Sequence, residues 1–156
     1  MLMSNEYYMK SPVGHLKITE HDGFIVGLDY VDGESISENG STNSIIDQCI
    51  AELGEYFKGR RSRFDVPVDL SYRGTPFQQK VWNRLYEIPF GETISYKTLA
   101  MDCGGPNHSR AVANANGKNP ISIIVPCHRV IAHDGTLGGY TGGLDKKETL
   151  LGIEGR

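Results

Sequence analysis

Residues 126–130 read Pro-Cys-His-Arg-Val, directly after the apolar run ISIIV at 121–125. A thiol beside an imidazole is the pairing of nucleophilic catalysis. A free thiol with a pKa of about 8.5 is only ~3% ionised at pH 7; an imidazole can take its proton, and a carboxylate can fix the tautomer of that imidazole. Glu154, at the end of the last predicted helix, is one of few acids that could fold back to Cys127 and His128. Full ionisation would speed the thiol about thirty-fold, roughly 2 kcal/mol, whereas orienting the target atom supplies of order 7–11 kcal/mol. Such a site therefore needs a pocket as well as a base. The competing reading of a Cys among β-branched residues is an inert buried hydrophobe. Read as neighbours on an extended strand, Cys127 and His128 project to opposite faces, which suits a water-relayed contact better than a direct thiolate–imidazolium pair.

The elements that must position these groups follow from periodicity. EYYMKSP, HLKITEHDG and FIVGLDYVDG are short, rich in β-branched and aromatic residues, and punctuated by turn signals, so they predict a small sheet. After a polar loop, GESISENGSTN, the residues Ile45, Ile46, Cys49, Ile50, Leu53, Tyr56 and Phe57 share one helical face, and Gly59 closes that helix. FDVPVDL reads as a further strand, with Pro67 favouring an edge. Thr75-Pro76 is an N-cap followed by Pro at the first helical position, and the helix it opens must stop before Pro89. Ser95 caps YKTLAMDCG, and GGPN turns the chain into SRAVANANGKNP, a helix-turn-helix pattern. The second of those helices carries Arg110 near its start and Ala111, Ala113 and Ala115 along it. VIAHDGTLGGY reads as a hairpin through Asp134-Gly135, and LDKKETLLGI as a final helix.

The chain has 156 residues, 38% hydrophobic and 22% charged. No stretch approaches the roughly 18 consecutive apolar residues of a membrane span, and the first residues carry no secretory pattern. Three cysteines, Cys49, Cys103 and Cys127, form no CxxC pair, which argues against a disulfide framework and fits a reducing cytoplasm. Residues 1–70 hold 6 Lys/Arg against 12 Asp/Glu, a net charge of −6; residues 71–156 hold 10 against 7, a net of +3. The second half is thus the part able to face a polyanion. His15, His21, His108 and His133 lack metal spacing, Cys49 faces core, and Cys103 is an incidental thiol at a helix end, so neither metal nor cofactor is expected.

PCHRV, whose Cys stands eight residues after the Asn of GKNP and which is followed by GGYTGGLDKKETLL, resembles the active-site region of the O6-alkylguanine-DNA alkyltransferases (methylated-DNA–protein-cysteine methyltransferases). The likeness extends upstream through FGETISYKTLA and SRAVANANGKNP, covering most of residues 75–156; residues 1–70 are similar only loosely. The resemblance implies an α/β (α+β) chain: a ribonuclease-H-like domain over 1–72, and over 73–156 a mostly helical, winged-helix-like helix-turn-helix domain carrying the active site. It implies that Cys127 displaces guanine from the alkyl carbon and keeps the alkyl group as a thioether, so each molecule acts once. His128 would accept the thiol proton through a water, Glu154 would orient His128, and Tyr96 would protonate the departing guanine. Asn119 would brace the turn before Cys127, and Thr141 would contact the base oxygen with main chain of Tyr140 and Gly142. Arg110 would fill the stack left by the flipped base. Ser95, Ala111, Asn114 and Arg129 are the further expected DNA contacts. The implied partner is double-stranded DNA containing O6-alkylguanine, and possibly O4-alkylthymine, entered from the minor groove by a monomer in the cytoplasm. No membrane partner is implied.

The same residues leave two other classes open. A cysteine hydrolase would use the same Cys–His pair but turn over. A DNA damage sensor would bind without transfer, although relatives of that kind lack the reactive Cys. If the relay ionises Cys127 at rest, alkylation should remain fast well below pH 8.5.

Overall fold

The computed structural model describes residues 4–36 and 38–156. The first three residues, part of the segment read above as no secretory signal, and position 37 of the polar loop lie outside the described residues. The chain divides into two compact units, residues 1–69 with 120–122, and residues 70–119 with 123–156. No helix among the described residues is long and apolar enough to cross a membrane.

In the first unit, strands β1 (Asn5–Ser11), β2 (Gly14–His21) and β3 (Phe24–Val31) form an antiparallel sheet in the order β1-β2-β3. The β2–β3 turn sets φ to +53° at Asp22 and +84° at Gly23. Two successive positive φ values match the right-handed twist of the strands, and Asp-Gly is the pair that accepts them at least cost. One sheet face buries Leu16, Ile18, Ile25 and Leu28, and helix α1 (Ser44–Phe57) contributes Ile46, Cys49, Leu53 and Tyr56 to the core. Asn43 joins the two: its Oδ1 caps α1 by accepting from the Ile46 N–H at 2.9 Å, and its Nδ2 donates to the buried Glu20 of β2 at 2.8 Å. The expected FDVPVDL strand is reduced to one parallel bridge, Ile25 with Val68. Pro67 has no N–H to continue a ladder; its carbonyl accepts from Ile25 at 2.8 Å. Further along the same free edge of β3, Leu28 donates to the Pro120 carbonyl and accepts from Ser122, so residues 120–122 are part of this unit. A single break after residue 72 leaves that segment out.

The second unit is helical. Helix α2 (Pro76–Tyr86) opens on the expected Thr75 cap, in a full capping box with Gln78, and buries Val81, Trp82 and Leu85. Strand β4 (Ile94–Ser95) pairs in parallel with β5 (Val130–Ile131) and leads directly into α3 (Tyr96–Cys103). A turn through Gly104 and Gly105 then delivers α4 (Ser109–Gly117), the second helix of the predicted helix-turn-helix. Trp82 donates its indole N–H to the Ala115 carbonyl at 2.9 Å and so fixes the last turn of α4. The alanines of α4 do not share a face: Ala111 and Ala113 are exposed, Ala115 is buried. The Asp134-Gly135 turn forms, with Ala132 donating to Thr136 at 2.9 Å, but no return strand follows among the described residues. That limb is instead irregular chain, with a turn in which Gly143 donates to the Tyr140 carbonyl, leading to α5 (Leu144–Ile153).

Candidate active site

The apolar ISIIV run, which leads into the extended strand expected at Cys127 and His128, is a buried turn. Only Ile121 makes a bridge, and Ile123 has φ +72° with its side chain wholly enclosed. A β-branched residue in the left-handed region is a genuine outlier and persists only where surrounding packing over-determines it. The brace is Asn119, whose Nδ2 donates to the Val125 carbonyl at 2.7 Å across the turn. Pro126 follows at φ −83°, ψ 66°, an inverse γ-turn in which the Cys127 N–H reaches the Val125 carbonyl at 2.8 Å. Cys127–Arg129 then form one turn of 3₁₀ helix, so Cys127 and His128 are not the alternating residues of an extended strand.

Cys127, 3% exposed, lies in the wall of a cavity of about 410 Å³ formed with Tyr96, Ala113, Asn116, Gly117, Gly139, Tyr140 and Thr141. His128 is fully buried, and its Nε2 stands 2.7 Å from Glu154 Oε2. Arg129 grips the same carboxylate twice, through Nε at 2.7 Å and Nη2 at 3.0 Å, and gives Nη1 to the Ile88 carbonyl. Such a bidentate pair holds Glu154 as a carboxylate, which can only accept. The shared hydrogen must therefore sit on His128 Nε2, leaving Nδ1 as a lone pair. Nδ1 is buried without a hydrogen-bond partner among the described residues. A buried acceptor of that kind is the tautomer needed to receive a proton from Cys127.

Burial pushes the Cys127 thiol above its ordinary value, only partly offset by hydrogen bonds from Asn119 and Tyr140 and by the charge of Lys147. Burial likewise pulls His128 below its ordinary value, against the opposing pull of Glu154. Both shifts favour a resting thiol beside a neutral imidazole over a pre-ionised thiolate, in keeping with the water-relayed contact expected from the sequence. Cys49, in the core of the first unit, is pushed up to about 12 by burial and then by Glu52.

Two residues are differently employed than expected. Arg129, grouped with the DNA contacts, is buried and its donors are spent on Glu154 and Ile88. Thr141, expected on the base oxygen, donates its hydroxyl to the Gly117 carbonyl at 2.8 Å and so ties its loop to the end of α4. Ser95 caps α3, accepting from the Thr98 N–H at 3.0 Å. Tyr96 is the first residue of α3 and points its hydroxyl at the Gly139 carbonyl, 3.4 Å away. Gly138, at φ +71°, packs so closely on the Tyr96 ring that an added Cβ would stand 3.0 Å from it. Arg110, Ala111 and Asn114 all lie exposed on α4, and Ala113 and Gly117 of the same helix reach the cavity.

Sequence reasoning missed Lys147. It is fully buried, and its ammonium donates to the carbonyls of Val130 (2.8 Å), Leu137 and Gly139 (3.0 Å), closing the 137–139 loop over the cavity. Burial pulls it down to about 8, opposed by the Cys127 charge, so near neutral pH it remains the cation facing the sulfur. Its neighbour Lys146 is half-exposed, and nothing in the pair Lys146-Lys147 distinguishes them. Among the described residues no group of His, Cys, Asp and Glu could hold a metal.

Comparison with known proteins gives a consistent result. Residues 76–156 match the family described as 6-O-methylguanine DNA methyltransferase, DNA binding domain, and residues 5–70 its ribonuclease-like domain. A methylated-DNA–protein-cysteine methyltransferase of Mycolicibacterium paratuberculosis is 46% identical over 149 residues, covering 94% of this chain and 89% of that one. One from Methanosarcina barkeri is 41% identical, covering 95% and 96%. The crystal structure of the Mycobacterium tuberculosis O6-methylguanine methyltransferase superposes with a TM-score of 0.84 at 40% identity, over 97% of this chain and 93% of that one. The same organism's protein in complex with DNA gives 0.83 at 42%, over 94% and 90%.

Proposed function

This chain belongs to the 6-O-methylguanine DNA methyltransferase family, and from that membership we propose how its residues repair alkylated DNA. The alkyl group of O6-alkylguanine in duplex DNA passes to Cys127 in one irreversible displacement. The observation that carries this reading is the placement of Cys127 in a cavity wall with an unoccupied acceptor, His128 Nδ1, held by Glu154 and Arg129 behind it.

A base stacked in duplex cannot present its O6 substituent to a buried thiol and must be turned out of the helix. Exposed α4 is the element that enters the minor groove, with Ala111 and Ala113 keeping its surface low and Asn114 beside the backbone. A groove about 6 Å wide favours such side chains. Arg110 fills the vacated stack, and main chain of Tyr140, Thr141 and Gly142 receives the base edge. As sulfur attacks, the thiol proton moves to His128, through a water, and Tyr96 gives its proton to the guanine, which would otherwise leave as an anion. The thioether is a poor leaving group, so the monomeric protein acts once. O4-alkylthymine is a second substrate of the same displacement.

Intact-mass measurement after mixing with methylated duplex tests this: one methyl group per chain is expected, mapped to Cys127. More than one product per protein molecule would sink the single-use mechanism. Arg110→Ala should slow repair of duplex at least about tenfold, the effect of losing ~1.4 kcal/mol of support for the flipped state, and leave reaction with free O6-benzylguanine nearly unchanged. Equal losses on both would make Arg110 a residue of the fold.

A further inference from the structure

Asn116, in the last turn of α4, is 6% exposed and shares the cavity with Tyr96 and Cys127, yet the displacement described above gives it no task. Its Oδ1 has no hydrogen-bond partner among the described residues, while its side chain is hydrogen-bonded to the Tyr96 phenol. With Oδ1 unpaired, the atom facing the phenol is the amide nitrogen, which can only donate. The phenol's own proton is weakly held: its acceptor is the Gly139 carbonyl at 3.4 Å, beyond the usual range for such bonds.

We propose that Asn116 is the positioning residue for proton donation by Tyr96. Its Nδ2–H occupies a lone pair of the Tyr96 oxygen, so the phenol O–H is left to turn into the cavity toward the base. The same N–H then stabilises the phenolate that donation creates. The inference rests on the assignment of Tyr96 as proton donor made above. It also answers an electrostatic difficulty. Burial and the Cys127 charge both push the Tyr96 phenol upward, making it a poorer acid, and the Asn116 bond pulls the other way.

The Cys127 S–C bond forms as the C–O6 bond breaks, and the O6 electron pair enters the guanine ring, where a ring nitrogen takes the Tyr96 proton. The thiol proton goes to His128. Imidazolium and phenolate are left in place of two neutral groups, and exchange with solvent restores both.

The test compares two alkyl donors on wild type, Asn116→Leu, Asn116→Asp, Tyr96→Phe and the double variant Tyr96→Phe/Asn116→Leu. Free O6-benzylguanine has a leaving group that needs a proton; methyl iodide has one that does not. Alkylation is read at Cys127 by peptide mass. Asn116→Leu should slow benzyl transfer about tenfold, the effect of one hydrogen bond to a developing anion, with methyl iodide rates within about twofold of wild type. Asn116→Asp should slow benzyl transfer further, because a carboxylate opposes the phenolate. On the Tyr96→Phe background the leucine substitution should cost nothing more, since both changes remove the same interaction. Equal slowing with both reagents would overturn the inference in favour of a packing role. Undiminished slowing on the Tyr96→Phe background would overturn it in favour of direct contact with the base. Faster benzyl transfer by Asn116→Leu would mean that Oδ1 holds the phenol proton back. Wild type that accepts methyl iodide but takes no methyl group from methylated duplex would overturn the proposed function and this inference together; the other failures overturn the inference alone.

Discussion

Replacing Cys127 with Ser should abolish alkyl transfer while duplex binding stays within about threefold of wild type. Serine keeps the shape of the side chain, and the Cys127 backbone is held by the Pro126 γ-turn and by the Asn119 bond to the Val125 carbonyl, neither of which is made to the sulfur. The fold therefore survives, at a cost of about 1–3 kcal/mol for burying a hydroxyl. The chemistry does not survive. A serine hydroxyl is a weak nucleophile unless strongly activated, and His128 is a base already weakened by burial. The loss should be on the order of 10⁶-fold, as for other enzymes deprived of their nucleophile. Transfer of labelled methyl from a methylated duplex, with peptide mapping of wild type, decides the matter. Label on Cys49 or Cys103, or residual transfer by Cys127→Ser, would refute the assignment.

Removing the imidazole should change the shape of the pH–rate curve as well as its height. In wild type the resting species are thiol and neutral imidazole, so the rate needs His128 unprotonated. Because burial places its folded pKa below the ordinary 6.5, the rate with O6-benzylguanine should be level from pH 8.5 down to about 6.5 and fall only as pH drops through that lowered value. In His128→Phe only spontaneous thiolate reacts. Burial holds the thiol above its ordinary value, so less than the ~3% of a free thiol is ionised at pH 7; the rate should be at least about 30-fold down there and climb tenfold per pH unit. Glu154→Gln should lie between, since the imidazole remains with weaker support. That variant also leaves the buried Arg129 without its carboxylate, a loss of about 3–5 kcal/mol, so its thermal stability must be measured alongside. Superimposable curves for the three proteins would make His128 and Glu154 structural.

The same lowered pKa has a stability consequence. An unfolded chain takes up the His128 proton near pH 6.5, before the folded protein can. Below that value the unfolded state binds more protons, so stability declines as pH falls from about 6.5 through the folded pKa, and this loss is absent above it. Urea unfolding of wild type and His128→Phe between pH 5 and 8 should show the decline in wild type only.

Much of this protein is legible in short windows of its chain. The stripe of Ile46, Cys49, Leu53 and Tyr56, the Thr75-Pro76 start of α2 and the Ser95 cap of α3 are each written within a turn or two, because helix periodicity and capping are interactions between near neighbours. The types Cys127, His128, Tyr96 and Asn119 likewise pointed to one site, and Cys127 and Tyr96 do line one cavity, with Asn119 bracing the turn before it. The windows failed where a local preference was overruled. ISIIV has the composition of a strand, yet Asn119 bends it into a turn that forces Ile123 to φ +72°.

The remaining decisions belong to packing between distant segments. Arg129 reads as a surface cation until Glu154, 25 residues on, and the Ile88 carbonyl, 41 residues back, enclose it. Lys147 reads as half of a solvated Lys-Lys pair until three carbonyls surround its ammonium. Thr141 reads as a loop hydroxyl until the Gly117 carbonyl, 24 residues back, accepts its hydrogen bond. Residue type states which hydrogen bonds a side chain can make, and spacing states which helix or strand carries it. Whether a thiol rests protonated, an imidazole neutral or an ammonium near pKa 8 depends on how much water is excluded around it. That exclusion arises only when segments far apart in sequence close over the same few atoms.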